Sequence, residues 1–310
     1  MAERTTTRTI DQTDTPVFEH GSELVAGVVE WYRAEARDLP WRRPDATPWA
    51  VMVSEFMLQQ TPVVRVLPVY EAWLERWPTP AALAAEPVGE AVRAWGRLGY
   101  PRRAQRLHAA ATAVEEEFDG VVPSTYEDLW SLPGVGEYTA GAIASFAYQK
   151  RHIVLDTNVR RVLSRAVSGV EYPAPATTPG DRRIATALLP EAAADAAEWA
   201  AASMELGAVV CTARAPRCDD CPVAELCTWV ATGKPPYDGP PRRGQTYEGT
   251  DRQARGRLLA VLRDTHGSVP REELEAAWTR DVVQRERALA SLVDDGLVMV
   301  LDGERYALAH

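Results

Sequence analysis

Residues 132–161 read LPGVGEYTAGAIASFAYQKRHIVLDTNVRR, and this stretch decides the fold. It opens with a tight glycine turn, Leu132-Pro133-Gly134-Val135-Gly136, that leads directly into a helix-compatible run at Tyr138 and Thr139. The first N–H groups of a helix lack intrahelical partners, and together with the helix dipole they suit a phosphate oxygen. The turn therefore fits a nucleic-acid backbone. Further along, a β-branched run ends in Asp156-Thr157-Asn158, placing a carboxylate at a boundary ahead of Arg160 and Arg161. Alone, the PGVG turn reads equally as an ordinary helix–turn–helix with a well-placed glycine pair.

A chain of 310 residues can hold at least two domains with real cores. Its formal net charge of -10 argues against a protein that coats nucleic acid nonspecifically. Local clusters matter more, and here they are arginine clusters, since Lys150 and Lys234 are the only lysines. Residues 1–20 are polar and Thr-rich without an apolar segment, so a disordered leader is expected in place of a signal peptide. No run reaches the length of a membrane span, and the clustered cysteines point to a cytosolic setting.

Working outward, apolar residues at helical spacing predict a first helix from Ser22, the expected N-cap, to Arg37. The prolines of Asp38-Leu39-Pro40-Trp41-Arg42-Arg43-Pro44 forbid helix. Trp41 and Arg42 could line a substrate pocket for a base or sugar, although packing is the commoner role for such a tryptophan. Residues 48–62, PWAVMVSEFMLQQTP, form an apolar helix carrying Glu55 and ending in Leu58, Gln59 and Gln60. Apolar neighbours would raise the Glu55 carboxyl pKa and make it a general acid; the segment alone favours a solvated glutamate on a polar face. Short helices follow over 63–77 and 80–98, with Trp73, Trp77 and Trp95 assigned to the core. Tyr100 with Arg102, Arg103 and Arg106 has the composition of a nucleic-acid groove, and a solvated helix face explains the arginines nearly as well. Helices over 104–118 and 126–132 then deliver the chain to the glycine turn. No strand-rich region is expected before residue 290, so the main body is all-α.

Cys211, Cys218, Cys221 and Cys227 follow a C-x6-C-x2-C-x5-C spacing. Four thiolates so close need a cation, and tetrahedral zinc or an iron–sulfur cluster would satisfy them. Residues 231–250 are Pro/Gly-rich and read as a linker. Residues 251–310 read as three helices, 251–263, 270–278 and 281–294, then a hairpin around Asp302-Gly303, which is a winged-helix pattern. Its third helix carries Arg285 and Arg287, leaving DNA binding and a protein-docking or packing role equally open.

Taken together, Ser54-Glu55-Phe56-Met57-Leu58-Gln59-Gln60-Thr61, Leu132-Pro133-Gly134-Val135-Gly136 with Tyr138-Thr139-Ala140-Gly141, Leu155-Asp156-Thr157-Asn158-Val159 and the cysteine loop resemble the adenine DNA glycosylase (MutY) family. That family lies within the helix–hairpin–helix DNA glycosylases, and the resemblance covers about residues 22 to 230. It implies a mainly α, two-lobed helix–hairpin–helix glycosylase over 21–230 with a 4Fe-4S cluster on residues 211–227, to which the residues' own pattern adds the winged-helix-like module at 251–310. It also implies a monomer acting on double-stranded DNA that contains an adenine mispaired with 8-oxoguanine or guanine, the base being flipped out for removal.

The same resemblance gives the residues roles. Glu55 would protonate the leaving adenine and Asp156 would stabilise the positive sugar, with Tyr138 and Asn158 orienting them. Leu58, Gln59, Gln60, Tyr100, Arg102, Leu132, Gly134, Val135, Gly136 and Thr139 would contact DNA. Endonuclease III has a lysine where Tyr138 stands, so a glycosylase without efficient strand-cutting activity is expected. The chain departs from the family at Tyr100-Pro101, where two tyrosines are common, at Pro62, and in its short C-terminal module where better-known members carry a Nudix-like domain. A thymine or uracil mismatch glycosylase, and an iron–sulfur winged-helix regulator without chemistry, are the rival readings.

Overall fold

The computed structural model describes residues 18–239 and 247–310. The helices in chain order are α1 (Gly21–Glu35), α2 (Pro48–Leu58), α3 (Val63–Arg76), α4 (Pro80–Ala84), α5 (Val88–Trp95), α6 (Arg102–Glu117), α7 (Tyr126–Ser131), α8 (Glu137–Tyr148), α9 (Thr157–Ala166), α10 (Pro179–Ala187), α11 (Ala193–Val209), α12 (Thr228–Ala231), α13 (Asp251–Asp264), α14 (Arg271–Ala277) and α15 (Val282–Asp294). Three short strands, β1 (Val269–Pro270), β2 (Val298–Leu301) and β3 (Arg305–Leu308), complete it. Two compact units interleave along the chain: Met1–Asp38 with Gln149–Gly239, and Leu39–Tyr148 with Pro240–His310. The expected leader falls, over residues 1–17, outside the described residues, as do residues 240–246 of the expected linker.

In the unit containing Leu39–Tyr148, α2 is the central element. Thr47 caps it by accepting from the Ala50 N–H, with Pro48 in the first turn where its missing donor is harmless. Every residue from Trp49 to Met57 is buried, as expected of a helix surrounded by others, here α3, α6 and α8. Trp73, Trp77 and Trp95 are core residues, packed edge to face at centroid distances of 4.6 and 5.7 Å about Trp73.

The C-terminal segment of this unit has the winged-helix arrangement, α13, α14 and α15 with a β1-β3-β2 antiparallel sheet pairing Val269 with Tyr306 and Val298 with Leu308. Sequence reading missed β1. It is only two residues long and ends at Pro270, which is also the N-cap of α14. The module shares one hydrophobic core with the preceding helices: Leu258, Leu262, Leu292 and Leu308 belong to the same cluster as Trp95 and Leu107. Arg93 donates to the carbonyls of Leu262, Arg263 and Thr265 at the end of α13, and Arg263 returns a bond to the Gly96 carbonyl. A Cβ on Gly89 would collide with the Ala309 carbonyl. The module is thus fixed to α5 and α6.

The other unit is built from α1 and α9 to α12 around Leu24, Val28, Val162, Leu163, Trp199, Leu206 and Trp229. The first helix begins at Gly21 with His20 in the N-cap position and no side-chain cap, so Ser22 lies inside it and does not cap it. Glu205, wholly buried on α11, is held by a two-pronged Arg37 at 2.6 and 2.7 Å. A buried carboxylate of that kind requires such a partner.

Candidate active site

Glu55 is only 5% exposed. The solvated-glutamate reading favoured by its own segment is therefore wrong: α2 is buried on all sides, and the carboxyl lies in the interior. The chain leaves α2 through Gln59 into Gln60, whose φ of 56° is left-handed, and Gln59 Nε2 lies 3.4 Å from the Thr139 hydroxyl that receives it. Leu58 and Gln59 are partly buried and Gln60 is exposed.

The glycine turn joins α7 to α8 as expected, with Tyr138 in the first turn of α8. Leu132, Val135 and Thr139 are buried, so their side chains support the hairpin from inside. What the turn presents outward is Pro133, Gly134 and Gly136. Gly134 is required twice, by its φ of 77° and because a Cβ there would sit 2.6 Å from Arg106 Cβ. At Gly136 a Cβ would meet nothing within 4 Å, so the backbone there is open. Trp41 is a core residue, edge to face with Tyr70 at 5.1 Å, which moves it from the candidate pocket to packing; Arg42 beside it is partly buried.

Arg103 is the residue that sequence reading misjudged most. It is buried, and its guanidinium donates to the carbonyls of Phe56 (2.9 Å), Met57 (3.0 Å), Gln59 (2.6 Å) and Gly99 (3.0 Å) and to the Thr61 hydroxyl (2.9 Å). One side chain thereby fixes both the Gln59–Thr61 loop and the turn before Tyr100. Burial lowers its pKa to about 10, still well above neutrality. The neighbouring Arg102 is exposed and pairs with Asp295 at 3.3 Å.

In the other unit Asp156 is the N-cap of α9. Its Oδ1 accepts from the Val159 N–H at 2.6 Å and its Oδ2 from Asn158 Nδ2 at 2.7 Å. Desolvation pushes the Asp156 pKa up, opposed by these hydrogen bonds and by Arg161. Asn158 Oδ1 accepts in turn from Arg161 at 2.8 Å, and Arg161 also donates to the carbonyls of Gly207 (2.6 Å) and Cys211 (2.8 Å). Gly207 allows this approach, since a Cβ there would lie 2.8 Å from Asn158 Cβ.

The four cysteines are unbridged and line one small cavity together with Arg165 and Trp229. Arg165 donates to Thr212 O at 2.8 Å and approaches Cys211 Sγ at 3.4 Å. Among the described residues no group of three or more His, Cys, Asp or Glu is placed to hold a single metal ion. Four sulfurs gathered on one cavity are the donor set of an iron–sulfur cluster, which spans several metal ions. Burial pushes the Cys221 thiol up to about 11, so a thiolate here needs a bound cation beside it.

The comparisons agree with this geometry. Residues 53–177 match the profile described as HhH-GPD superfamily base excision DNA repair protein, and residues 211–227 match the iron–sulfur binding domain of endonuclease III. The adenine DNA glycosylase of Mycobacterium tuberculosis is 53% identical over 281 residues, 91% of this chain and 92% of that protein. Among solved structures, a thermostable thymine-DNA glycosylase aligns with a TM-score of 0.63 at 24% identity, covering 69% of this chain and 98% of that one. A non-covalent endonuclease III–DNA complex aligns at 0.58 and 20% identity, covering 69% and 97%. At those identities the structures speak to the fold alone. The chain belongs to the adenine DNA glycosylase family of helix–hairpin–helix base-excision repair proteins. Its cofactor is the 4Fe-4S cluster of that family's cysteine loop.

Proposed function

We propose that this chain excises adenine from DNA by hydrolysing its N-glycosidic bond, and that the substrate adenine is one mispaired with 8-oxoguanine or guanine. The observation that carries the reading is the burial of Glu55 in α2, one turn before a loop tied to the hairpin helix by Gln59 and Thr139. Adenine leaves poorly until a ring nitrogen is protonated. Glu55 is the proton donor, and Asp156, held by Val159 and Asn158, in its ionised form stabilises the cationic sugar or attacks it transiently.

Tyr138 and Asn158 orient these groups. Pro133, Gly134 and Gly136 offer backbone to the phosphates, and Gln59, Gln60 and Tyr100 engage the stack vacated by the flipped base. Cys211, Cys218, Cys221 and Cys227 would hold the cluster, and with it in place the loop bearing Arg214 and Arg217 would be kept against the phosphates. Tyr138 has no amine with which to form a Schiff base, so the product is an abasic site in an uncut strand. The enzyme acts as a monomer, in the cytoplasm at the nucleoid. The test is release of free adenine from defined mispairs by the purified chain; release of thymine or uracil from mismatches with adenine untouched would move the chain to the rival enzyme class.

A further inference from the structure

The C-terminal module raises a question that its third helix does not answer. On α15, Arg285 is buried and bound to Glu275 at 3.0 Å, and Arg287 forms two 2.6 Å bonds to Asp251. The arginines that would read a groove are committed to the module's own carboxylates. A different arginine points elsewhere.

Arg252, exposed on the first turn of α13, lies with its guanidinium carbon 4.1 Å from the centre of the Tyr100 ring. Its Nη2 is 4.0 Å from where a Gly99 Cβ would be. Tyr100 itself is unusual in three respects. It is a non-glycine residue at a φ of 48°, it is 37% exposed, and it follows a turn whose Gly99 carbonyl accepts from the buried Arg103. The Arg103 guanidinium also lies over the Tyr100 ring, at 5.6 Å. A left-handed tyrosine is costly to hold, and two cations over one ring oppose its relaxation. The bonds of Arg93, Arg263 and Gln105, with the ion pair of Arg102 to Asp295, fix the module to α5 and α6, so Arg252 meets Tyr100 from a rigid base.

We infer that Arg252 is a positioning residue for Tyr100, and that the C-terminal module takes part in mispair engagement through this contact, with α15 reading no DNA. The inference rests on the reading of Tyr100 as a residue that enters the DNA stack. Its physical basis is preorganisation: a ring already held in its working direction loses less freedom on binding.

The experiment uses the full chain with Arg252→Ala, Arg252→Lys and Tyr100→Ala, and the double variant Arg252→Ala/Tyr100→Ala. With 3-fluorotyrosine incorporated and the Tyr100 resonance identified by its loss in Tyr100→Phe, Arg252→Ala is expected to shift that resonance in the free protein. An unmoved resonance overturns the contact. On duplexes with one adenine mispair, Arg252→Ala is expected to weaken binding about fivefold, the upper end for one exposed cation–π contact, with Arg252→Lys between it and wild type. Affinity for a fully paired duplex is expected to stay within about twofold, the span of an unaffected site, and Arg252→Ala is expected to add nothing in the Tyr100→Ala background. Equal weakening on paired and mispaired DNA would mean a plain phosphate contact and overturn the proposal, as would additivity in the double variant. If wild type releases no adenine from any mispair, the functional reading fails by itself, and the fluorine resonance still decides the Arg252–Tyr100 contact.

Discussion

Arg161 donates to the backbone carbonyl of Cys211 at 2.8 Å. The same guanidinium holds Asn158 Oδ1, and Asn158 holds Asp156, so the carboxylate proposed to face the sugar is connected by three hydrogen bonds to the first residue of the cysteine loop. Loss of iron should therefore reach Asp156. Cys211→Ser is expected to lose iron, sulfide and visible absorbance, and with them base release. Iron content and single-turnover rate, measured on the same samples, check this; an iron-free protein of wild-type rate would break the connection.

Asp156 gives a pH prediction whose sign follows from its surroundings. Desolvation raises its pKa, and the ionised form is the working one, so base release falls as pH drops through that raised value. Asn158→Ala removes a donor to the carboxylate and raises the pKa further, so the acid limb of the single-turnover profile moves to higher pH. A limb that stays in place or moves down contradicts the assignment. In wild type the same shift means that the contribution of Asp156 to stability is fully present below the ordinary carboxylate pKa and is lost as pH rises through the raised one, because the folded state holds the proton longer.

Gly207 tests how closely α11 must approach Asn158. A Cβ there would stand 2.8 Å from both Asn158 Cβ and its carbonyl oxygen. Gly207→Ala is expected to destabilise the protein by about 1–3 kcal/mol, the usual cost of overpacking, and to slow base release by displacing Asn158. Thermal melting and single-turnover rates separate the two effects.

Absence of strand cutting is tested by borohydride trapping on an abasic duplex. Wild type is expected to give no covalent adduct, since Tyr138 offers no amine. Tyr138→Lys is expected to give one. A strong adduct with wild type would show that another amine, such as Lys150 or Lys234, reaches the sugar.

Much of this architecture is legible in the residues themselves. The glycine turn, the four-cysteine spacing and the Asp302-Gly303 hairpin each fix local geometry through backbone or ligand chemistry that neighbours cannot override. Glu55 is different. Its segment alone reads as amphipathic because a sequence does not show that other helices cover every face of α2. Arg103 fails for the same reason: adjacent to Arg102 it looks like part of a basic surface, and only tertiary structure gathers the carbonyls that bury it. Leu132, Val135 and Thr139 lie in the right motif but face inward, which the motif does not reveal.

The central claim is that Glu55 and Asp156 break the bond to a mispaired adenine. Glu55→Gln and Asp156→Asn are each expected to slow base release by at least about 10²-fold, the scale of a lost general acid or electrostatic stabiliser, while duplex binding persists. The most direct test is single-turnover release of adenine placed opposite 8-oxoguanine, guanine, adenine, cytosine and thymine, by wild type and both variants. The account predicts rapid release opposite 8-oxoguanine and guanine by wild type alone. Equal release opposite thymine, or undiminished release by either variant, would contradict it.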